Sequence, residues 1–296
     1  MRRFVLLYAL PLVASLHASA AHADSECDDD RPYNGSADIT VQARPAGHVD
    51  VHVFAGSVRV TSGPPGAIHV RGHFSPECHL DVAPSGERQE IHLSCSHGPA
   101  TGDVEVQVPQ MSSVDVRTMS ADVSFHDING AVHAQTVAGN IELHGGTPTE
   151  IDLRSTSGDV TIQSSSTSTR AHSISGDVRI SGVRGRASIR TVSGECTLSG
   201  GEFSATEIET VSGDVVFQGA IAGSGTFEAQ SHSGEITLHL PATTAADVEM
   251  HSTSGELVID MGSGRKSAEQ ELIARIGPGG SRLRLRSFSG DVNVLR

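Results

Sequence analysis

The chain has 296 residues, with 35 Asp and Glu against 21 Lys and Arg for a formal net charge of -14, no Trp, and only 3% aromatic residues. Such an acidic balance excludes nucleic acid and anionic lipid surfaces as driving partners, because that binding depends on Lys and Arg neutralising phosphates. Scarce aromatic faces count against a glycan-processing groove and against a large aromatic interface hot spot.

Residues 1–23 open with Arg2 and Arg3, continue in an apolar run over 4–16, and close on Ala21-His22-Ala23. This is the layout of a secretory signal peptide, with cleavage expected before Asp24. Cleavage takes the formal charge from -14 to -16, since Arg2 and Arg3 leave and no acid does. The apolar run is short for a membrane span, and no later segment approaches about 18 uninterrupted apolar residues. The expected product is exported, with no integral membrane segment, and resides in the periplasm or is secreted to the cell surface. Asp24-Ser25-Glu26-Cys27 lacks the small residues that lipid attachment to Cys27 would need.

Residues 24–36, with Cys27-Asp28-Asp29-Asp30, read as a disordered acidic lead-in. From 37 to 112 the sequence alternates in short runs, such as Val49-Asp50-Val51-His52-Val53 and Val104-Glu105-Val106-Gln107-Val108, separated by Gly and Pro turns. This is an irregular N-terminal β region, expected to cap the sheet system that follows.

Over 113–296 a phrase of the form hydrophobic/Thr-Ser-Gly-Asp/Glu-Val-x-hydrophobic recurs nine times, from Met119, Val137, Thr156, Ile174, Val192, Val211, His232, Thr253 and Phe288. Its central residues are Ala121, Gly139, Gly158, Gly176, Gly194, Gly213, Gly234, Gly255 and Gly290, spaced by 18 to 21 residues except for a last gap of 35. Counting from the central residue, positions +2 and +4 are apolar, as in Val160 and Ile162 or Val215 and Phe217. Position -5 is apolar too, as in Leu153 and Ile189. Each repeat is therefore two strands around a corner, too small to bury its own apolar face, so that copies must stack. The fold class expected is all-β: a single-stranded parallel β-solenoid, β-helix-like, of either hand, with about 18–21 residues per rung and the irregular N-terminal cap. In the 35-residue gap, 267–276 could form a short helix, but the flanking glycines favour strand in one extra rung with a degenerate corner.

Within the phrase, Gly is expected to give the corner access to positive φ. Position -3 is always Ser or Thr, facing inward by parity with -5. Such buried hydroxyls need partners, either one another or the corner backbone. Position +1 carries Asp122, Asn140, Asp159, Asp177, Glu195, Asp214, Glu235, Glu256 and Asp291. Stacked charges about 5 Å apart repel by roughly 1 kcal/mol even in water. The plain expectation is that each carboxylate caps corner amides, helped by arginines at -4 (Arg117, Arg154, Arg190, Arg286). The functional alternative is a cation column, with Ca²⁺ held by Asp159, Asp177, Glu195, Asp214, Glu235 and Glu256.

Of the cysteines, Cys78 and Cys95 lie in neighbouring strand-like runs joined by Pro84-Ser85-Gly86 and are the expected disulfide. Cys196 takes a +2 position and reads as a small buried hydrophobe. Cys27 is left free, paired otherwise, or engaged between molecules. The histidine pairs His48/His52 and His69/His73 fall in strands, where four residues span about 13 Å, too far to share an ion. Cys78, His79, Cys95 and His97 form the one transition-metal candidate, against which the disulfide is the simpler account.

Strands that end in proline, Val106-Gln107-Val108-Pro109 and Leu238-His239-Leu240-Pro241, followed about ten residues later by the Ser-Gly-Asp/Glu-Val phrase, resemble a bacterial family. It is the "putative adhesin" family of unknown function known as the toast-rack domain, and the resemblance runs from about residue 37 to the C-terminus. It implies a stacked β-solenoid, an envelope or surface location and a role in adhesion, and it supplies no catalytic residues. Met119-Ser120-Ala121-Asp122 and Val137-Ala138-Gly139-Asn140 depart from the phrase in the first rungs.

No Gly-x-Ser-x-Gly elbow, Walker loop or His-Glu-x-x-His occurs. The functional expectation is an exported, non-catalytic interaction or structural module of the envelope, whose partner is an envelope or surface protein or a polysaccharide. The alternative is a polysaccharide lyase or hydrolase on a β-helix scaffold, which would need acids and arginines converging on a groove.

Overall fold

A computed structural model describes residues 35–262 and 264–296. The leader and residues 24–34 of the lead-in lie outside them, while Gly35 and Ser36 open the first strand, Gly35–Gln42. Among the described residues there is no helix, and strand makes up 69%. The alternation seen in the sequence becomes burial directly: Val160, Ile162, Val178, Ile180, Val215 and Phe217 at +2 and +4, and Leu153, Ile189 and Ile208 at -5, are at most 1% exposed. A leading strand, the corner and a trailing strand make one rung, and successive rungs pair in parallel, with register shifts at Gly185/Arg186 and over Ser199–Ala205. Ile151–Ser155 lies against Ser168–Ser173, and Val160–Gln163 against Val178–Ser181. Both strands of a rung thus bury alternate residues in one continuous core, a parallel β-solenoid.

Positive φ, the expected reason for the corner glycine, holds at Gly56 and Gly290, but the other corners need glycine for another reason. Gly139, Gly158, Gly176, Gly194, Gly213 and Gly234 do not have positive φ. Instead, a Cβ on each would collide with the carbonyl oxygen of the central residue one rung below, Gly158 for Gly176 and Gly176 for Gly194. At these six corners close stacking, not turn handedness, excludes a side chain.

The stack extends beyond the nine phrases. His48–Gly63 pairs in parallel with Ser113–His126, matching Gly56 to Ala121 and Val58 to Val123. Its other side pairs with Thr101–Pro109, matching Gly56 to Gly102 and Ser57 to Asp103. Phe54-Ala55-Gly56-Ser57-Val58 and Ala100-Thr101-Gly102-Asp103-Val104 are therefore two further corners, and the N-terminal region carries rungs of the same build.

At both ends the spatial order departs from the chain order. The Gly56 rung lies between Gly102 and Ala121, with antiparallel strands outside it: Cys78–Ser85 on Arg88–Cys95, and Gly35–Gln42 on Ala67–Phe74. At the other end, Ser281–Ser289 pairs in parallel with both Val215–Ser233 and Ala246–Ser254, and Val292–Leu295 with both Ile236–His239 and Leu257–Asp260. The last repeat is thus inserted between the Gly234 and Gly255 rungs. The 35-residue gap is strand rather than helix, but it is not another parallel rung. Arg265–Ala268 and Glu271–Ile276 run back antiparallel along Leu257–Asp260 and Ala246–Ser254, with Glu269 and Gln270 at the turn between them. Reversed strands at each end replace an open parallel edge, and the C-terminal strand is paired on both sides.

Candidate functional site

The repeat places four side-chain columns along the corner, at -4, -2, +1 and, facing inward, -3. The inward hydroxyls are used by the backbone. Ser155 donates to the Gly139 carbonyl at 3.1 Å and accepts from its own Gly158 N–H at 2.9 Å, and Ser173 repeats this with Gly158 and Gly176 at 3.2 and 3.0 Å. Ser252 and Ser287 donate to Gly290 and Gly234. Thr136, Thr191, Thr210 and Ser231 are buried in the same column without a hydrogen-bond partner. A hydroxyl enclosed in this way has neither the base nor the access that a nucleophile needs.

The +1 column forms a second ladder. Oδ1 of each Asp or Asn accepts the backbone N–H of the +1 residue one rung on: Asp122 from Asn140 (2.8 Å), Asn140 from Asp159 (3.0 Å), Asp159 from Asp177 (2.9 Å), Asp177 from Glu195 (2.9 Å), Asp214 from Glu235 (2.9 Å), and Asp291 from Glu256 (2.8 Å). The last link follows the spatial order and not the chain order. The longer Glu side chains turn elsewhere: Glu195 accepts from the Thr197 hydroxyl, Glu235 from Thr237 and Asn293, and Glu256 from Arg265. Asn140 does the same work without charge, so the amide cap depends on the carbonyl-type oxygen and not on a carboxylate.

The arginines at -4 do not help this column. Arg117 pairs with Asp115, Arg154 with Asp152, Arg190 with Glu209 and Arg286 with Glu249, all on the leading face. Asp152 raises the pKa of Arg154 above its ordinary value, by hydrogen bonding and by charge. The cations beside the acids are Arg179, 2.7 Å from Asp177 and 3.7 Å from Asp159, and Arg265, 3.2 Å from Glu256.

Cys78 and Cys95 are joined by a disulfide, and His79 turns to Ser94 and Asp81, so the thiolates a transition metal would use are absent from that cluster. Cys196 is a buried free cysteine whose thiol is pushed up to about 12, mainly by burial and further by the charges of Asp177 and Glu195. One cluster was not visible in the sequence: His48, Asp50 and Asp115 bring ligand atoms within 4.8 Å of one another. Parallel pairing sets Asp50 opposite Asp115. Asp50 is already held by His48 at 2.9 Å and Arg88 at 3.3 Å, and Asp115 by Arg117, which neutralises the group.

The -2 column is different in kind. Phe54, Met119, Val137, Ile174, Val192, Val211 and Phe288 are each 40% to 53% exposed. Parity directs them outward, and the stacking aligns them in one stripe along the solenoid, interrupted by Thr156, His232 and Thr253 at the same position. At the Gly56 end the stripe opens into a groove of about 870 Å³, walled by Val53, Phe54, Leu93, Pro99 and Met119, with His52, His92 and Arg117 on it. No carboxylate lines that groove, so the paired acids required of a polysaccharide lyase or hydrolase do not converge there.

The family model described as Toastrack DUF4097 matches residues 92–184 and 167–295. The chain belongs to the toast-rack family. Among solved structures, a putative adhesin from Bacteroides fragilis is 10% identical, with 89% of this chain and 98% of that one covered and a TM-score of 0.47. A putative adhesin from Parabacteroides distasonis is also 10% identical, covering 88% and 97% with a TM-score of 0.47. A putative lipid binding protein from Parabacteroides distasonis, again 10% identical, covers 89% and 98% with a TM-score of 0.37. No curated protein matches the chain. No helix among the described residues is long and apolar enough to cross a membrane. In this toast-rack chain the stripe at -2 has fewer structural duties than the acidic column at +1. Its signal was present in the phrase itself, an apolar residue at a position whose parity points away from the core.

Proposed function

We propose that this toast-rack protein is an exported, non-catalytic interaction module of the cell envelope. It engages an envelope or surface protein or a polysaccharide through the corner face. One observation carries this reading: Gly, Ser/Thr, Asp and the +2 and +4 apolar residues each have a task inside the fold, while the -2 stripe is apolar, exposed and without one. An exposed run of apolar side chains such as Ile174, Val192 and Val211 on neighbouring rungs marks a contact. The leader read over residues 1–23 supports export. The test is fractionation of cells expressing the whole chain, with N-terminal sequencing of the product. It is joined to a cell-binding assay of the wild type against Ile174→Glu/Val192→Glu. Export with cleavage before Asp24 and loss of binding in the variant are expected. Retention in the cytoplasm, or binding unchanged by the variant, would sink the reading.

A further inference from the structure

The stripe is flanked by columns of unlike charge. On its leading-strand side, -4 holds Arg117, Gln135, Arg154, His172, Arg190, Glu209, Gln230, His251 and Arg286; on the other, +1 holds the acids and Asn140. Compared within each rung, six of the nine phrases set a basic residue against an acid: Arg117 with Asp122, Arg154 with Asp159, Arg190 with Glu195, Arg286 with Asp291, His172 with Asp177 and His251 with Glu256. Of the other three, the neutral Gln135 coincides with the neutral Asn140, the neutral Gln230 stands against Glu235, and the one like-charged rung is Glu209 with Asp214. Nothing inside one chain requires this match, since these arginines pair with leading-face carboxylates.

We infer that the stripe is the contact between two copies of this chain, packed side by side and parallel, about a two-fold axis running along the solenoid. This rests on the reading of the stripe as the contact face. A two-fold parallel to the solenoid keeps every rung at its own height and exchanges the two flanks, so each -4 residue meets the +1 residue of the same rung in the other copy. The antiparallel alternative keeps the flanks on their own sides, setting arginine against arginine or histidine and acid against acid, which costs several kcal/mol in specificity. Apolar -2 residues then meet their own counterparts on the axis, an isologous contact. The area suffices: eleven rungs about 4.8 Å apart make a stripe about 48 Å long. A band about 13 Å wide buries roughly 1,250 Å² in total, within the range of stable dimers. The exposed pairs to Asp115 and Asp152 that the arginines would loosen are each worth under about 1 kcal/mol.

The test uses the full chain expressed with its own leader, in a Cys27→Ser background so that only introduced thiols can cross-link. Sedimentation of the purified protein should give a dimer. Arg190→Glu should weaken it about tenfold or more, and adding Glu195→Arg should restore it, because the swapped pair still meets across the axis. Glu195 caps no amide of the next rung, so the swap leaves the ladder intact. Met119→Cys, Val192→Cys and Val211→Cys should each give self-cross-linked dimers on oxidation, whereas an antiparallel pair would cross-link with itself only near the middle of the stripe. A monomer at every soluble concentration, a dimer that fails to cross-link at Met119→Cys and Val211→Cys, or a swap that does not rescue would each overturn the inference. A monomer that is still exported, and that still loses cell binding in Ile174→Glu/Val192→Glu, would remove self-pairing and leave the proposed function standing.

Discussion

His232 stacks face to face on Phe288, ring centroids 4.8 Å apart and planes 7° from parallel. The -2 residue of the last repeat thus rests on that of the third from last. The contact reports the inserted C-terminal rung, whose strands pair on both sides. Removing residues 281–296 therefore does more than shorten a stack from its end. It leaves the Gly234 and Gly255 rungs facing an empty slot with unpaired backbone. The shortened protein is expected to lose its cooperative melting transition and to bind thioflavin T. A melt within a few degrees of the full chain would contradict the inserted topology.

Corner glycines differ from one another in what they tolerate. In Gly176→Ala the new Cβ meets the Gly158 carbonyl, a backbone atom held by its own ladder. The expected loss is about 2–4 kcal/mol in urea unfolding, in the range of other backbone clashes. Ala121→Gly, at the one rung where the column already carries a Cβ, should change stability by less than about 1 kcal/mol. Equal costs at the two sites would mean that close stacking is not what selects glycine.

Much of this architecture was legible because a solenoid writes its contacts into a period. Val160 and Ile162, or Leu153 and Ala171, announce their burial by position alone. What stayed hidden was order in space. Phe54-Ala55-Gly56-Ser57-Val58 has Ser where the phrase has an acid, and its rung is reached only by pairing with two distant strands. The insertion of Val292 between Ile236 and Leu257 leaves no local trace either, since parallel pairing is set by strand edges and not by chain proximity. For the candidate site, the columns could be read but not ranked. The acids drew attention through their charge, yet a short side chain one rung from an amide has a nearby use that composition does not reveal.

The inward hydroxyls divide into two classes with opposite expectations. Ser173 bonds both the Gly158 carbonyl and the Gly176 N–H, so Ser173→Ala should cost about 1–2 kcal/mol by stranding both groups. Thr191 and Thr210 have no partner, so Thr191→Val, of similar shape, should be neutral or slightly stabilising. Chemical denaturation of the two variants decides, and a large loss in Thr191→Val would point to a partner for that hydroxyl.

The acidic ladder predicts sensitivity to geometry rather than to charge. Asp214 caps the Glu235 amide at 2.9 Å. Asp214→Asn keeps that acceptor, as Asn140 does, and should leave the melting temperature within a degree or two. Asp214→Ala should cost about 1 kcal/mol. Millimolar calcium is expected to leave the wild-type melt unchanged. A calcium-dependent rise that Asp214→Asn abolishes would restore the cation reading of the column.

Cys196 gives the fold a dependence on alkaline pH. Its thiol is pushed up to about 12 in the folded protein, while in the unfolded chain it titrates near 8.5. Below about pH 8.5 both states keep the proton and the contribution of the buried thiol is fully present. Above it the unfolded chain releases the proton and the folded one does not, so stability falls by about 1.4 kcal/mol per pH unit until the folded thiol itself ionises. Other groups titrate in the same range, so the comparison is with Cys196→Val, which matches Val178 and Val215 on the adjoining rungs. The stability difference between the two proteins should be flat from pH 6 to 8 and grow in favour of the variant from pH 9 upward. Iodoacetamide should label the thiol at pH 8 only after unfolding, because a thiol held protonated in the core offers no thiolate to react. Labelling of the native protein, or a pH-independent difference, would show that the rung opens at that position.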